Sequence, residues 1–177
     1  MDFQQLHQKR YSCRSFNGRP VDKQQLLTCL EAARMAPSAC NSQPWSIVAV
    51  IEPDMVAKVA RCCQPQGANP FTAQASAFVA FAEQDLQQLA GISDRVFGAN
   101  YFVAGDVSSA VNYLTLQAAD LDIRSCIIGL FDETALKTLL DIPSHYKLRL
   151  MVALGHSDEQ PPRKSRLALS EVARIIE

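Results

Sequence analysis

Residues 148–154 read LRLMVAL, and they carry the clearest strand signal in the chain. Leucine or valine at every second position alternates with Arg149, Met151 and Ala153, which is the period of two that is typical of a β-strand. Three shorter apolar runs also predict strands, at 46–51 (SIVAVI), 77–82 (AFVAFA) and 126–130 (CIIGL). Together these runs supply the strands of one sheet.

Helical patterns separate the strands. Apolar residues at helical spacing predict helices after Asp22, after Pro53, from Val107 to Leu121, and between Asp132 and Pro143. Residues 84–88 (QDLQQ) predict a further short helix, and 64–74 (QPQGANPFTAQ) predict a loop. The interleaving predicts a single mixed α and β domain over residues 1–177. Taken alone, it favours parallel β-α-β units.

Composition argues against several classes of protein. With 17 Lys and Arg against 18 Asp and Glu, the 177-residue chain has a formal net charge of −1, which does not favour nucleic-acid binding. No apolar run approaches the ~18 residues that a membrane span needs. The polar start, MDFQQLHQKR, lacks the apolar core of a signal peptide. We therefore expect a cytoplasmic protein that binds neither nucleic acid nor membrane.

Common cofactor and metal motifs are absent from the sequence. The glycines include no G-x-G pair of a dinucleotide fingerprint, and none precedes the Lys-Ser/Thr of a Walker loop. The cysteines form no C-x-x-C pair, and the three histidines are far apart. No metal site is therefore predicted.

Polar residues cluster at three element boundaries, where binding residues concentrate. Arg10-Tyr-Ser12-Cys-Arg14 offers two guanidinium groups and a hydroxyl to a phosphate, or else forms a solvated helix end. Residues 36–45 (APSACNSQPW) carry amide side chains that could bind a planar heterocycle; the alternative is a helix-terminating loop anchored by its tryptophan. Residues 163–166 (RKSR) gather three cations, as an anion site or a solvated loop. The two basic clusters together carry enough charge to clamp a phosphate dianion.

The sequence resembles the nitroreductase family of FMN-dependent oxidoreductases almost from end to end. The matching motifs, in the family's order, are RYSCRSF (10–16), APSACNSQPW (36–45), SCIIGLF (125–131) and KSRLALSEV (164–172). The resemblance implies an α+β fold with a central, mostly antiparallel sheet flanked by helices, in place of parallel units. It also implies an intertwined homodimer with two FMN sites, each built from both subunits.

The resemblance assigns the two basic clusters to the phosphate of FMN. Arg10, Ser12 and Arg14 correspond to phosphate and ribityl ligands. Lys164 and Arg166 correspond to the second half of the phosphate clamp.

The resemblance assigns other residues to the flavin ring. Pro37, Ser38 and Asn41 correspond to a segment that reaches the ring from the partner subunit. Asn69 corresponds to an asparagine that contacts the ring or the ribityl chain.

A strand end completes the implied site. Ile128 and Gly129 match a strand end whose backbone lies against the redox edge of the flavin, where a glycine permits close approach.

Three features depart from the family pattern. Residues 120–124 (DLDIR) replace a Gly-Leu-Gly stretch and could reshape the pocket mouth; 64–74 has no basic residue for a flavin-edge contact; and the chain ends soon after Ile176, which leaves a short C-terminal arm.

The implied activity is hydride transfer from NADH or NADPH through FMN to a nitroaromatic, quinone or related acceptor, with ping-pong kinetics. No catalytic side chain is predicted, because the cofactor carries the chemistry and the histidines lie outside every motif. Two alternatives keep the fold: a flavoenzyme for another substrate, such as an enone, a halogenated phenol or flavin itself, and a flavin-binding protein with little turnover. A third alternative is a structural dimer without a cofactor.

Overall fold

The alternating stretch forms the longest strand that the structure describes. In the computed structural model, which describes residues 2–84 and 101–177, this strand spans Lys147–Gly155 (β4). The preceding strands are β1 (Trp45–Val50), β2 (Ala77–Glu83) and β3 (Arg124–Ile128). Within the described ranges the sheet order is β1-β2-β4-β3, and each neighbouring pair of strands is antiparallel.

The structure describes six α-helices: α1 (Phe3–Lys9), α2 (Lys23–Arg34), α3 (Pro53–Cys62), α4 (Val103–Asp120), α5 (Glu133–Leu139) and α6 (Leu169–Val172). Four of them, α2 to α5, form where the apolar periodicity predicts them. Asp22 and Asp132 cap α2 and α5 by accepting N–H groups of the first turn, as short acidic side chains do. The helix predicted at 84–88 lies outside the described residues, apart from Gln84. None of the described helices is both long and apolar enough to cross a membrane.

Strand β2 shows why the sheet is apolar on both faces. Phe78 and Ala80 belong to a core cluster with residues of α3 and α5, whereas Val79 and Phe81 pack with α2 and α4. Strands covered on both faces are more typical of parallel sheets, so strand composition does not reveal strand direction here. The parallel units favoured by the interleaving are therefore wrong. The antiparallel sheet flanked by helices is confirmed.

Gly155, the last residue of β4, lies against the buried ring of Phe16. A Cβ at position 155 would lie 2.8 Å from Cδ1 of Phe16. We expect Gly155→Ala to lower the free energy of unfolding by about 1–3 kcal/mol, because the buried ring must move. Urea unfolding measures this change.

The matched control is Gly105→Ala in α4. A Cβ at this position meets no described atom within 4 Å outside its own helix backbone. Since alanine favours a helix over glycine by about 1 kcal/mol, the control should be neutral or stabilising. Equal losses in both variants would contradict the packing of Gly155 on Phe16.

Candidate functional site

The R-x-S-x-R segment, residues 10–14, lies alongside β3. Ser12 pairs with Ser125 in a parallel bridge, and the N–H of Cys13 donates to the Ser125 carbonyl at 2.9 Å. Cys13 is fully buried, whereas its neighbours Ser12 and Arg14 are exposed. Because side chains alternate along an extended chain, Arg10, Ser12 and Arg14 share its outer face. This face presents two guanidinium groups and a hydroxyl together, an arrangement suited to an anion.

The second basic cluster meets the first through Lys164. Its ammonium group donates to the carbonyls of His7 and Arg10 at the C-terminal end of α1. Burial, and then the charges of Arg10 and Arg166, hold the pKa of Lys164 below its usual value. The structure thus gathers three cations, Arg10, Lys164 and Arg166, which are called the basic cluster below. In the described part of the chain no ion pair neutralises any of them.

The C-terminal end of β3 and the residues that follow it (128–130), called the β3 exit below, lie beside an asparagine of the 64–74 loop. Ile128 is buried, whereas Gly129 is exposed, and a Cβ on Gly129 would meet no described atom within 4 Å. The side-chain amide of Asn69 donates to the carbonyl of Leu130 at 3.1 Å. Asn69 is left-handed, with φ at 51°, which asparagine tolerates better than most residues. Three predicted ring contacts, Asn69, Ile128 and Gly129, therefore lie together beside open space.

The loop of residues 37–43 has a backbone that is unusual for its sequence. Cys40, Asn41 and Gln43 have φ values of 51°, 54° and 49°. Each such non-glycine residue costs on the order of 1 kcal/mol or more, and such strain concentrates in binding loops. The hydroxyl of Ser38 accepts the N–H of Gln43 at 2.9 Å, which helps to hold this conformation.

Asp106, in the first turn of α4, fastens the same loop to the long helix. Its two carboxylate oxygens accept the N–H of Ala39 at 3.1 and 3.2 Å. Pro37 and Asn41 are exposed, and Ser38 is half-buried. Among the residues that the structure describes, no hydrogen bond or ion pair joins this loop to the basic cluster or to the β3 exit. In the described part of the chain, Pro37, Ser38 and Asn41 are therefore not bonded to the other predicted site residues.

Residues 120–124, which depart from the family pattern, support α1 and the 10–14 segment. Asp122 is left-handed, with φ at 61°, and its carboxylate pairs with Nζ of Lys9 at 2.5 Å. The bond from Lys9 holds the pKa of Asp122 below its usual value. The guanidinium of Arg124 lies 5.6 Å from the ring centroid of Tyr11. Neither Asp122 nor Asp106 is among the residues predicted from the sequence, since a lone aspartate near a helix end has no distinguishing pattern.

His156 is buried just after β4, against Arg19. An Nη2 of Arg19 lies 2.5 Å from Nδ1 of His156. Because a guanidinium only donates, Nδ1 must be the acceptor of a neutral imidazole. Burial, and then the charge of Arg19, lower the pKa of His156. His7 and His145 are exposed, and no described hydrogen bond joins an imidazole ring to the basic cluster.

The lowered pKa of His156 predicts that stability rises with pH just below the ordinary histidine value of 6.5. In that range His156 is protonated to a greater extent in the unfolded chain than in the folded chain. The free energy of unfolding therefore falls as the pH falls toward the folded-state pKa. Urea unfolding at a series of pH values measures this slope. His156→Gln should flatten it, and His145→Gln, at an exposed position, is the matched control that should not. An unchanged slope in His156→Gln would contradict the assignment.

Comparison with known proteins agrees with the fold and the motifs. A solved structure of a nitroreductase family protein from Streptococcus pneumoniae superposes with a TM-score of 0.83 at 26% identity, covering 99% of this chain and 100% of that one. The fold is therefore the nitroreductase-like α+β fold. A model of the nitroreductase family matches residues 8–156. The chain belongs to the nitroreductase family.

Two relatives carry names that describe an activity. A protein of Streptococcus pyogenes, named as an NAD(P)H nitroreductase, is 31% identical over 97% of this chain and 98% of that protein. An NAD(P)H FMN reductase of Bacillus subtilis is 26% identical over 88% of this chain and 66% of that protein. The two names differ in the acceptor of the electrons.

Proposed function

We propose that this protein is an FMN-dependent oxidoreductase that transfers a hydride from NADH or NADPH to a nitroaromatic, quinone or related acceptor. Its family membership makes it an NAD(P)H oxidoreductase. The observation that carries the FMN assignment is the meeting of Arg10, Lys164 and Arg166, whose charges no described carboxylate neutralises. A phosphate monoester dianion would neutralise such a cluster through charge-assisted hydrogen bonds.

The surrounding residues fit a mononucleotide flavin. Ser12 and Arg14 add donors on the same face as Arg10. At the β3 exit, the open space beside Gly129 lets a flat ring approach the backbone without meeting a side chain. FAD would bring a second phosphate and an adenine, and the sequence has no dinucleotide fingerprint to receive them.

The chain's part in the reaction is to bind and orient. Arg10, Lys164 and Arg166 would hold FMN by its phosphate, and the bound flavin would supply the hydride chemistry between nicotinamide and acceptor. The cations fix the phosphate, and the β3 exit fixes the ring, so that proximity and orientation supply most of the acceleration. No described hydrogen bond joins an imidazole ring to the basic cluster, and we assign no side chain as a general acid or base; water supplies the protons. Because the two substrates share one space over the ring, they bind in turn, as in ping-pong kinetics.

The proposed active form is a homodimer in which Pro37, Ser38 and Asn41 reach the flavin of the partner subunit. In the described part of a single chain, no hydrogen bond or ion pair joins their loop to the basic cluster, which supports this arrangement. Large apolar side chains on the helices are also exposed to water in the single chain: Phe3, Leu27, Met35 and Tyr113. Contiguous apolar surface marks protein interfaces, so these exposed side chains are candidates for the dimer contact.

The first test is the identity of the cofactor. We expect the protein to purify yellow, with non-covalent FMN, because the basic cluster suits one phosphate monoester. Denaturation followed by chromatography identifies the released flavin. FAD, or no flavin even after reconstitution with FMN, would reject the proposal.

The same sample separates an enzyme from a flavin carrier. Steady-state oxidation of NADH or NADPH, measured with and without a nitroaromatic or quinone, should show acceptor-dependent turnover. A protein that binds FMN and oxidises neither nucleotide would instead be a flavin-binding protein with little turnover.

Charge at Arg10 and Arg166 should set the affinity for FMN. Arg10→Ala or Arg166→Ala removes a charge-assisted contact worth about 1.5–3 kcal/mol, which weakens binding by roughly one to two decades. Fluorescence titration with FMN measures the dissociation constants. Arg163→Ala is the matched control, since Arg163, unlike Arg166, is not among the charges that act on Lys164. Equal losses at Arg163 and Arg166 would show that the register of this segment is wrong.

Subunit mixing tests the shared site. Arg10→Ala and Asn41→Ala should each bind FMN more weakly at both sites of their own homodimer, yet their heterodimer carries one site with both wild-type residues. We therefore expect mixing to restore about half of the sites in each heterodimer, by the symmetry of a twofold dimer. Flavin binding and native mass spectrometry follow the recovery and the exchange. Confirmed exchange without recovery would rule out cross-subunit contacts from Asn41.

A further inference from the structure

The C-terminal segment, residues 160–177, is joined to the rest of the described chain by the hydrogen bonds of one side chain. Lys164 donates to the carbonyls of His7 and Arg10, whereas the segment's other described hydrogen bonds stay within it. Every residue from 165 to 177 is exposed. Within the single described chain, the hydrogen bonds of Lys164 are therefore what ties this segment to α1.

The hydrogen bonds of this ammonium group oppose an electrostatic repulsion from neighbouring cations. The charged groups that face it are Arg10, at the end of α1, and Arg166, on its own segment. Both are cations, and no described carboxylate offsets them. Without an anion, the same charges that suit a phosphate therefore weaken the one link between the segment and α1.

A phosphate dianion reverses this balance. Bound between Arg10 and Arg166, it attracts both guanidinium groups and the ammonium group of Lys164. Two of the three N–H groups of Lys164 already point to carbonyls, so the third is available to the anion. Occupancy of the anion site should therefore strengthen the attachment of the segment to α1.

We propose that Lys164 is a positioning residue through which the phosphate of the bound flavin orders the C-terminal segment. The identity of the anion rests on the proposed function. The coupling is reciprocal: the ordered segment keeps Arg166 at the phosphate, and so tightens flavin binding. The phosphate orders the segment, and the flavin ring does not.

Hydrogen exchange of the amides of residues 165–177 in the full-length protein tests this coupling. The probes are FMN and riboflavin, which has the same ring and no phosphate, each at a saturating concentration confirmed by the flavin absorption spectrum. FMN should slow exchange by about tenfold, the effect of one charge-assisted bond. Riboflavin should change it by less than about twofold. Equal slowing by the two flavins would overturn the proposal.

Substitutions at residue 164 show whether the ammonium group carries the effect. Lys164→Met should still bind FMN, more weakly, but FMN should no longer slow exchange of the segment. Lys164→Arg keeps a cation and should restore most of the slowing, and Arg163→Met, the matched control, should keep all of it. Full slowing in Lys164→Met would overturn the proposal.

The two flavins separate this inference from the proposed function. If wild-type protein binds FMN and exchange does not slow, only the coupling is wrong. If wild-type protein binds no FMN, the proposed function fails and the coupling fails with it. Should Lys164→Met not fold, the comparison of FMN with riboflavin in the wild-type protein decides alone.

Discussion

The pairing of residues 12 and 13 with Ser125 is the contact on which the candidate site depends. It holds a short stretch after α1 alongside β3, and so fixes which of its side chains face the core. Tyr11 and Cys13 face inward, with 7% and 0% of their surface exposed. A slip of one residue would bury a guanidinium group and expose both of these side chains. The apolar residues of the motif thus determine where its cations lie.

Several weaker contacts hold the end of α1 against this edge. The pair of Lys9 with Asp122 is mostly exposed at the aspartate, with 72% of its side chain accessible, and such pairs contribute only about 0–1 kcal/mol. The stacking of Arg124 on Tyr11 and the bonds from Lys164 act on the same few residues from other directions. Their combined effect is to limit the positions open to Arg10, which lies between all of them.

Much of this architecture could be predicted from the sequence, because the signals are local. Strand β4 follows from its period of two, and α2 and α5 follow from their aspartate caps and apolar stripes. Strand direction could not be predicted, since helices cover both faces of the sheet and residues 77–82 of β2 are all apolar. The resemblance to a known family supplied that direction, together with the roles proposed for Arg10 and Lys164.

What the sequence could not predict are contacts between distant residues without a pattern. Asp106 reaches a loop 67 positions earlier in the chain, and only the folded backbone places its carboxylate at the N–H of Ala39. The left-handed residues of that loop are not glycines, so no residue type marks their conformation. For Asp122, the departure from the family pattern marked an altered segment, and the structure supplies the partner, Lys9.

The separation in sequence of the cationic residues has a consequence for biosynthesis. Lys164 and the carbonyl that it binds on Arg10 are 154 positions apart, so this part of the cluster does not exist while the ribosome is still adding the residues between them. The strand that receives the 10–14 segment also emerges late, with Ser125. A nascent chain therefore exposes the basic motif near its beginning for most of translation, with no anion site around it. On the proposed function, the complete site for the flavin phosphate therefore forms only after residue 164 has been translated.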